Sequence, residues 1–267
     1  MNDTYSTLIV RRDGPVARVT LNRPDRLNAL DDALVSDLTR FLRASRDDHA
    51  LRVIVMRGAG SAFCAGLDLK SAKTGSAAGG VSDGLRAQRR IRDVMLEMHR
   101  SPQVILAALN GPAAGAGMGI ALAADLRIAT PRGRMNAAFI KLGVSACDMG
   151  VSYFLPRMLG TSLAKHYMLT GRFIEPQRAL ELGLVSAVVE EDALDAEIDA
   201  LLADLLRATP LGLRMTKEAF DHAVDMNSLE SVLALEDRNQ ILGVQGEDFA
   251  EGVRAFLEKR EPRYSGS

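Results

Sequence analysis

Tryptophan is absent from this 267-residue chain, and all aromatic residues together make up 4%. So few flat faces argue against base-stacking platforms as a main function. There are only two cysteines, Cys64 and Cys147, which excludes a disulfide framework and fits a reducing cytoplasm. Charge of one sign is missing too: 33 basic against 34 acidic side chains leave a formal net charge of -1. That balance speaks against nucleic acid or an anionic membrane as the main partner. No apolar run approaches the ~20 residues that span a bilayer. The start, Met1-Asn2-Asp3-Thr4-Tyr5, lacks the basic and apolar segments of a secretory leader. The four histidines, His49, His99, His166 and His222, show no metal-ligand spacing, and the cysteines do not supply it. A cytoplasmic protein without a resident metal is the expectation.

What is present is a 47% hydrophobic composition, enough for a sizeable core. Leu8-Ile9-Val10 and Val16 to Leu21, flanking Asp13-Gly14, read as a hairpin. Asp31 reads as the cap of a helix carrying Leu34, Leu38, Phe41 and Leu42 on one face. Arg52 to Arg57 and Val104 to Leu109 are apolar runs without clean alternation, as expected of strands buried on both faces. A helix is predicted over Arg86 to Arg100, with Ile91, Val94, Met95 and Met98 as its core stripe. Gly75 to Gly80 reads as either a mobile lid or an insert. A short helix at Ile120 to Ala124 and a strand at Leu126 to Ala129 follow, and from Leu155 the pattern is mainly helical. Thr209-Pro210 has the chemistry of a helix start, and the last helix shows Phe249, Val253, Phe256 and Leu257. The class is α/β.

Two stretches of small residues each follow one of the buried strands: Ser61-Ala62-Phe63-Cys64-Ala65-Gly66-Leu67-Asp68-Leu69 and Asn110-Gly111-Pro112-Ala113-Ala114-Gly115-Ala116-Gly117-Met118-Gly119. Small side chains let backbone N–H groups face a ligand. Two such loops can aim two amides at one oxygen and hold a developing oxyanion, where one lost donor typically costs about 2.7–4 kcal/mol. The second loop is not a dinucleotide fingerprint: the third glycine is out of place, and no acidic residue ends a second strand downstream.

Leu21-Asn22-Arg23-Pro24 with Leu27-Asn28-Ala29-Leu30, Phe63 to Leu69, Asn110 to Asp125, and Leu169-Thr170-Gly171-Arg172 resemble, in order, the crotonase (enoyl-CoA hydratase/isomerase) superfamily, from about residue 8 to 258. The resemblance implies a spiral of ββα units over residues 1–200 carrying the site, a helical trimerisation region over 201–267, and a homotrimer or hexamer. It also implies an acyl-CoA thioester as substrate and no further cofactor. By position, the amides of Leu67 and Ala116 would form the oxyanion hole. Ala65, Gly66, Asp68, Gly115, Gly119 and Phe139 would line the substrate, and Arg26 would meet a CoA phosphate or be a solvated turn residue.

The two hydratase glutamates of that family would fall at Gly119 and Phe139, neither of which moves a proton. Asp148, in Gly143 to Gly150, falls where the dienoyl-CoA isomerases carry a catalytic Asp, although the stretch from Gly143 is one residue longer here. Beside Phe139 and Met149, desolvation is expected to raise its pKa toward a useful range. The expected function is therefore double-bond isomerisation of an acyl-CoA with Asp148 as acid–base group. The alternatives are a hydrolase or dehalogenase using Asp148, or a silent acyl-CoA-binding relative. Asp148 also reads as a cap for a helix beginning near Val151. Asp68 reads as a structural hydrogen-bonder of its loop, and both cysteines as small buried packing. Met95, Met98, Phe139 and the 71–84 loop are candidate pocket walls.

Overall fold

The computed structural model of the chain describes residues 4–70 and 80–266. It is α/β, with a mixed six-stranded sheet, a two-stranded one and ten α-helices among the described residues. The chain begins with β1 (Leu8–Asp13) and β2 (Val16–Leu21), an antiparallel hairpin in which Asp13 faces Val16 across Gly14-Pro15. Gly14 has φ +51°, the positive value that a tight two-residue hairpin turn asks of its first position. Next come α1 (Asp32–Arg46), β3 (Val53–Gly58), α2 (Gly80–His99), β4 (Val104–Leu109), the short β5 (Ala113–Ala114) and α3 (Ala116–Ala123). The order continues with β6 (Leu126–Ala129), β7 (Met135–Asn136), α4 (Val151–Leu159), α5 (Thr161–Thr170), α6 (Pro176–Glu181) and β8 (Ala187–Val188).

The large sheet has the order β1-β2-β3-β4-β6-β8 and is parallel beyond the hairpin, while β5 pairs with β7 in parallel. Parallel neighbours need crossovers: α1 and α2 supply the first two, α3 lies in the third and α4 to α6 in the fourth. Strand β4 is buried along its whole length, as its unbroken apolar run requires. Asp31 caps α1 by accepting from the Leu34 amide at 2.9 Å, and Leu34, Leu38, Phe41 and Leu42 face the core. A second anchor on this helix, Asp37, accepts from the amides and hydroxyls of Ser6 and Thr7 and so fastens the start of the chain.

The chain divides between Ile198 and Asp199 into two compact units. Helix α7 (Leu194–Leu206) crosses the division, and the C-terminal unit continues with α8 (Pro210–Ala223), α9 (Leu229–Val244) and α10 (Glu247–Glu258). Thr209 caps α8 through Gly212 N at 2.9 Å, with Pro210 at the first helical position. Within this unit, an open groove of about 840 Å³ is lined by Met215, Phe220, Val253, Phe256 and Tyr264 among others. Among the described residues, no helix is long and apolar enough to cross a membrane.

Two expectations change at this level. The short helix placed at Ile120 begins four residues earlier, at Ala116, inside the small-residue stretch. Helix α2 begins at Gly80, so residues 80–84 of the expected 71–84 loop are helical, while 71–79 and the lid reading of 75–79 fall outside the described residues. The helix expected near Val151 does begin there, and the mainly helical stretch beyond it is interrupted by β8.

Candidate active site

The first small-residue bend is held by two buried asparagines. Asn28 sits in the left-handed region at φ +55°, a conformation asparagine tolerates better than most residues. Its side chain accepts from Arg23 N at 2.9 Å and donates to Ala59 O at 2.9 Å and Ala62 O at 2.8 Å. Asn110 works from the second stretch: it accepts from Gly58 N at 3.0 Å and donates to Gly58 O at 2.9 Å and Gly60 O at 3.2 Å. Arg23 adds a charge clamp, with Nη2 2.8 Å from Asp31 and 2.9 Å from the buried Asp68 and a further bond to Ala29 O.

The two bends are stitched to each other. Cys64 N donates to Pro112 O at 3.2 Å, and Ala114 N to Cys64 O at 3.0 Å, forming a parallel bridge between Cys64 and Ala113. Gly66 has φ +98°, and a Cβ there would stand 2.8 Å from Ala114 O and 3.5 Å from Ala116 N. Only glycine meets both demands without strain. On its other side the bend pairs with Leu30, which donates to Gly66 O at 2.7 Å and accepts from Asp68 N at 2.8 Å. In this parallel pairing the amide of Leu67, the residue between, points away from Leu30. Ala116 is the first residue of α3, so its amide has no intrahelical acceptor. Gly115 N is tied to Asn136 O at 2.9 Å, and a Cβ on Gly115 would lie 3.5 Å from the Phe139 ring.

Asp148 stands before a tight turn that leads into α4. The turn is pressed against α3: a Cβ on Gly119 would lie 2.5 Å from Met149 O and 2.7 Å from Met149 Cβ. Met149 is buried at φ +49°, an unusual backbone for methionine. The Asp148 carboxylate is half-buried rather than enclosed. Its Oδ1 accepts from Met149 N at 2.7 Å and from Gln88 Nε2 of α2 at 2.7 Å. Gly150 is the N-cap of α4, without a side-chain cap, so the Asp148 side chain does not cap that helix. Its main-chain carbonyl accepts from Val151 N at 3.0 Å.

The structure thus brings Ala65, Gly66, Leu67, Gly115, Ala116, Gly119 and Phe139 around the joined bends, with Asp148 beside the residue that touches α3. Arg26 is exposed at the end of a 3-10 turn, Pro24–Arg26, whose next residue, Leu27, accepts from Ala65 N at 3.0 Å. Asp68 is committed to Arg23 and to Lys70 N. Met95 and Met98 belong to the core. Cys64 is fully buried, and burial pushes its thiol up to about 12 against smaller pulls from the Gly66 amide and Arg23. Cys147 is exposed, not buried as expected, because the turn's apolar contact is made by Met149 instead. All four histidines are exposed, and no cluster of metal-binding side chains occurs among the described residues. Gln88 was missed: nothing in the sequence pairs it with an aspartate sixty positions away.

The family model for enoyl-CoA hydratase/isomerase matches residues 11–267. Among curated relatives, the "probable enoyl-CoA hydratase echA12" of Mycobacterium leprae is 36% identical over 249 residues, covering 92% of this chain and 85% of that protein. The 1,2-epoxyphenylacetyl-CoA isomerase of Escherichia coli is 34% identical over 251 residues, covering 94% and 95%. The crystal structure of an enoyl-CoA hydratase from Bacillus anthracis superposes with a TM-score of 0.92 at 32% identity, covering 98% of this chain and all of that one. With its sheet order, its paired bends and this match along almost its full length, the chain belongs to the enoyl-CoA hydratase/isomerase family.

Proposed function

We propose that this member is an acyl-CoA isomerase. It holds the thioester carbonyl between the amides of Leu67 and Ala116 and moves a proton along the acyl chain with Asp148. The carboxylate removes a proton from the saturated carbon between the carbonyl and the double bond. The C–H electron pair passes into the π system, and the negative charge settles on the enolate oxygen facing the two amides. The protonated Asp148 then returns its proton to a different carbon, the double bond re-forms one position along, and the carboxylate is restored. The C–H acid is weak, so most of the help comes from the fixed main-chain dipoles, aided by the positive end of α3.

The observation that carries this reading is the approach of the Gly66 bend to Ala116 N, where a Cβ would leave only 3.5 Å. Proton transfer rather than hydration is supported at position 119, where the turn backbone fills the space a glutamate side chain would need. Phe139 offers an apolar wall in place of a second acid. One relative is named an isomerase, acting on a CoA thioester that carries an epoxide. Ala65, Gly66 and Gly115 give the small-residue floor, Arg26 meets the CoA phosphates, and Asp68 holds the first bend through Arg23. No cofactor beyond the CoA of the substrate takes part. The working form is a cytoplasmic homotrimer or hexamer, supported by two unpaired cysteines and by the exposed apolar side chains Phe256 and Leu257 at 82% and 74%.

The test is solvent-deuterium exchange and double-bond migration over a panel of unsaturated acyl-CoA thioesters. Asp148→Asn is expected to lose about 10²–10⁴-fold in rate while still binding the thioester. Undiminished turnover would remove Asp148 from the chemistry. A covalent adduct on Asp148 would make it a nucleophile, and tight binding without exchange by the parent would make the protein a silent binder.

A further inference from the structure

Both hydrogen bonds received by the Asp148 carboxylate fall on one oxygen. Met149 N and Gln88 Nε2 each reach Oδ1 at 2.7 Å, and no described residue donates to Oδ2. The first bond comes from the adjacent peptide and leaves the carboxylate plane free to turn, because the terminal torsion of aspartate is broad. The second arrives from α2, a separate element. A carboxylate only accepts, so it is the NH2 end of the Gln88 amide that faces it.

We infer that Gln88 is a positioning residue for this reaction: by holding Oδ1 it leaves Oδ2 as the oxygen that takes and returns the proton. The inference rests on the reading of Asp148 as proton carrier. In each half-reaction a C–H bond breaks and an Oδ2–H bond forms, or the reverse, and the Oδ1 contacts persist. Gln88 itself exchanges no proton with the substrate. It lies on an exposed stretch of α2 with no part in the core, so its replacement leaves the helix intact. Glutamate at 88 would keep the length and helix propensity but would replace a donor with a like charge.

The experiment measures solvent-deuterium exchange into unsaturated acyl-CoA thioesters by the full chain. It compares the parent with Gln88→Leu, Gln88→Glu, Asp148→Asn and the Gln88→Leu/Asp148→Asn double variant, each checked for folding by circular dichroism. Gln88→Leu is expected to lower kcat about tenfold with KM little changed, the size of a lost hydrogen bond to a charged group. Gln88→Glu is expected to lose more than Gln88→Leu, although a merely structural contact on an exposed helix would tolerate Glu at least as well. In the Asp148→Asn background, Gln88→Leu is expected to add no further loss, since the two side chains act as one unit. A Gln88→Leu enzyme within twofold of the parent, a Glu variant milder than the Leu one, or an equal loss in both backgrounds would each overturn the inference. Crippled Asp148→Asn beside an unaffected Gln88→Leu refutes the role of Gln88 alone. Unimpaired Asp148→Asn removes the proton carrier and the positioning role with it.

Discussion

Replacing Gly119 by alanine is expected to damage activity far more than stability. The new Cβ would stand 2.5 Å from Met149 O and 2.7 Å from Met149 Cβ, both inside the separation that atoms tolerate. Relief to ordinary contact, near 3.5 Å, requires the turn to withdraw by about 1 Å. Met149 already occupies the left-handed region at φ +49°, so the turn has little slack of its own. Overpacking of this kind costs about 1–3 kcal/mol. Exchanging a helical glycine for alanine returns about 1 kcal/mol through propensity, leaving a net loss between about zero and 2 kcal/mol. The catalytic consequence is larger, because a 1 Å misplacement of a reacting group can cost about 10²-fold in rate. Urea unfolding gives the first quantity and solvent-deuterium exchange into an acyl-CoA gives the second. The variant is expected to remain folded with kcat lowered about a hundredfold. Gly119→Glu, which puts a glutamate where the family resemblance implies the first hydratase acid, is expected to gain no hydration. A Gly119→Ala enzyme with parental kcat would refute the reasoning, since the Asp148 turn would then not depend on its seat against α3.

Two expectations concern pH. Burial works to raise the Asp37 carboxyl, but the hydrogen bonds from the Thr7 amide and hydroxyl and the Ser6 hydroxyl and amide outweigh it and hold it below its ordinary value. A depressed folded pKa gives stability that is present above the unfolded value of about 3.9 and lost as pH falls through the folded one. Asp37→Asn should therefore be less stable near neutrality and show a flatter acid limb in urea melts. Parallel limbs for parent and variant would contradict the assignment. Cys64, raised to about 12 by burial, has the opposite sign. Its contribution is present below the unfolded thiol value of about 8.5 and lost as pH rises toward the folded one. At mildly alkaline pH a thiol reagent should label Cys147 alone in the native protein and Cys64 only in urea; two labels without denaturant would refute the burial of Cys64.

The hairpin, β3, β4, β6 and α1 were legible because their signals are local, whereas the two-residue strands β5, β7 and β8 are too short to carry one. Asp31 announces a cap, Leu34, Leu38, Phe41 and Leu42 recur at helical spacing, and β4 is an apolar run with no polar alternation. The start of α3 was not legible. Ala116-Gly117-Met118-Gly119 has the composition of a loop, yet it is helical and fully buried, because small residues also let helix backbones approach their neighbours closely. Propensity favours the loop there, and tertiary contact decides otherwise. The two cysteines separate for a similar reason. Cys64 lies on the bridge between the bends, whereas Cys147 precedes a turn whose inward position falls to Met149. In α10, the spacing of Phe249, Val253, Phe256 and Leu257 announced an apolar face, but periodicity does not say what covers it, and all four are substantially exposed. The contact between Gln88 and Asp148 joins two polar residues on separate elements, and no hydrophobic pattern encodes such a pair.

Gly119 and the Asp148 turn are two sides of one steric fact. A side chain at 119 and the Met149 backbone claim the same volume, so one chain cannot carry both a glutamate on α3 and this turn in its present seat. Exchanging one acid for the other is therefore a single coupled change rather than two independent losses. The proposed carbonyl grip would be untouched by it. Cys64 to Pro112, Ala114 to Cys64 and Leu30 to Gly66 are all main-chain bonds, indifferent to which acid stands nearby. Under the proposed mechanism, a scaffold of this kind would keep the enolate oxygen fixed while the proton carrier moves from a helix to a turn. The turn then needs its own support, which the Met149 amide supplies from within and Gln88 from α2. On this account, restoring hydration would require removing the turn before adding the glutamate, and the order of those two substitutions would govern whether the intermediate protein folds.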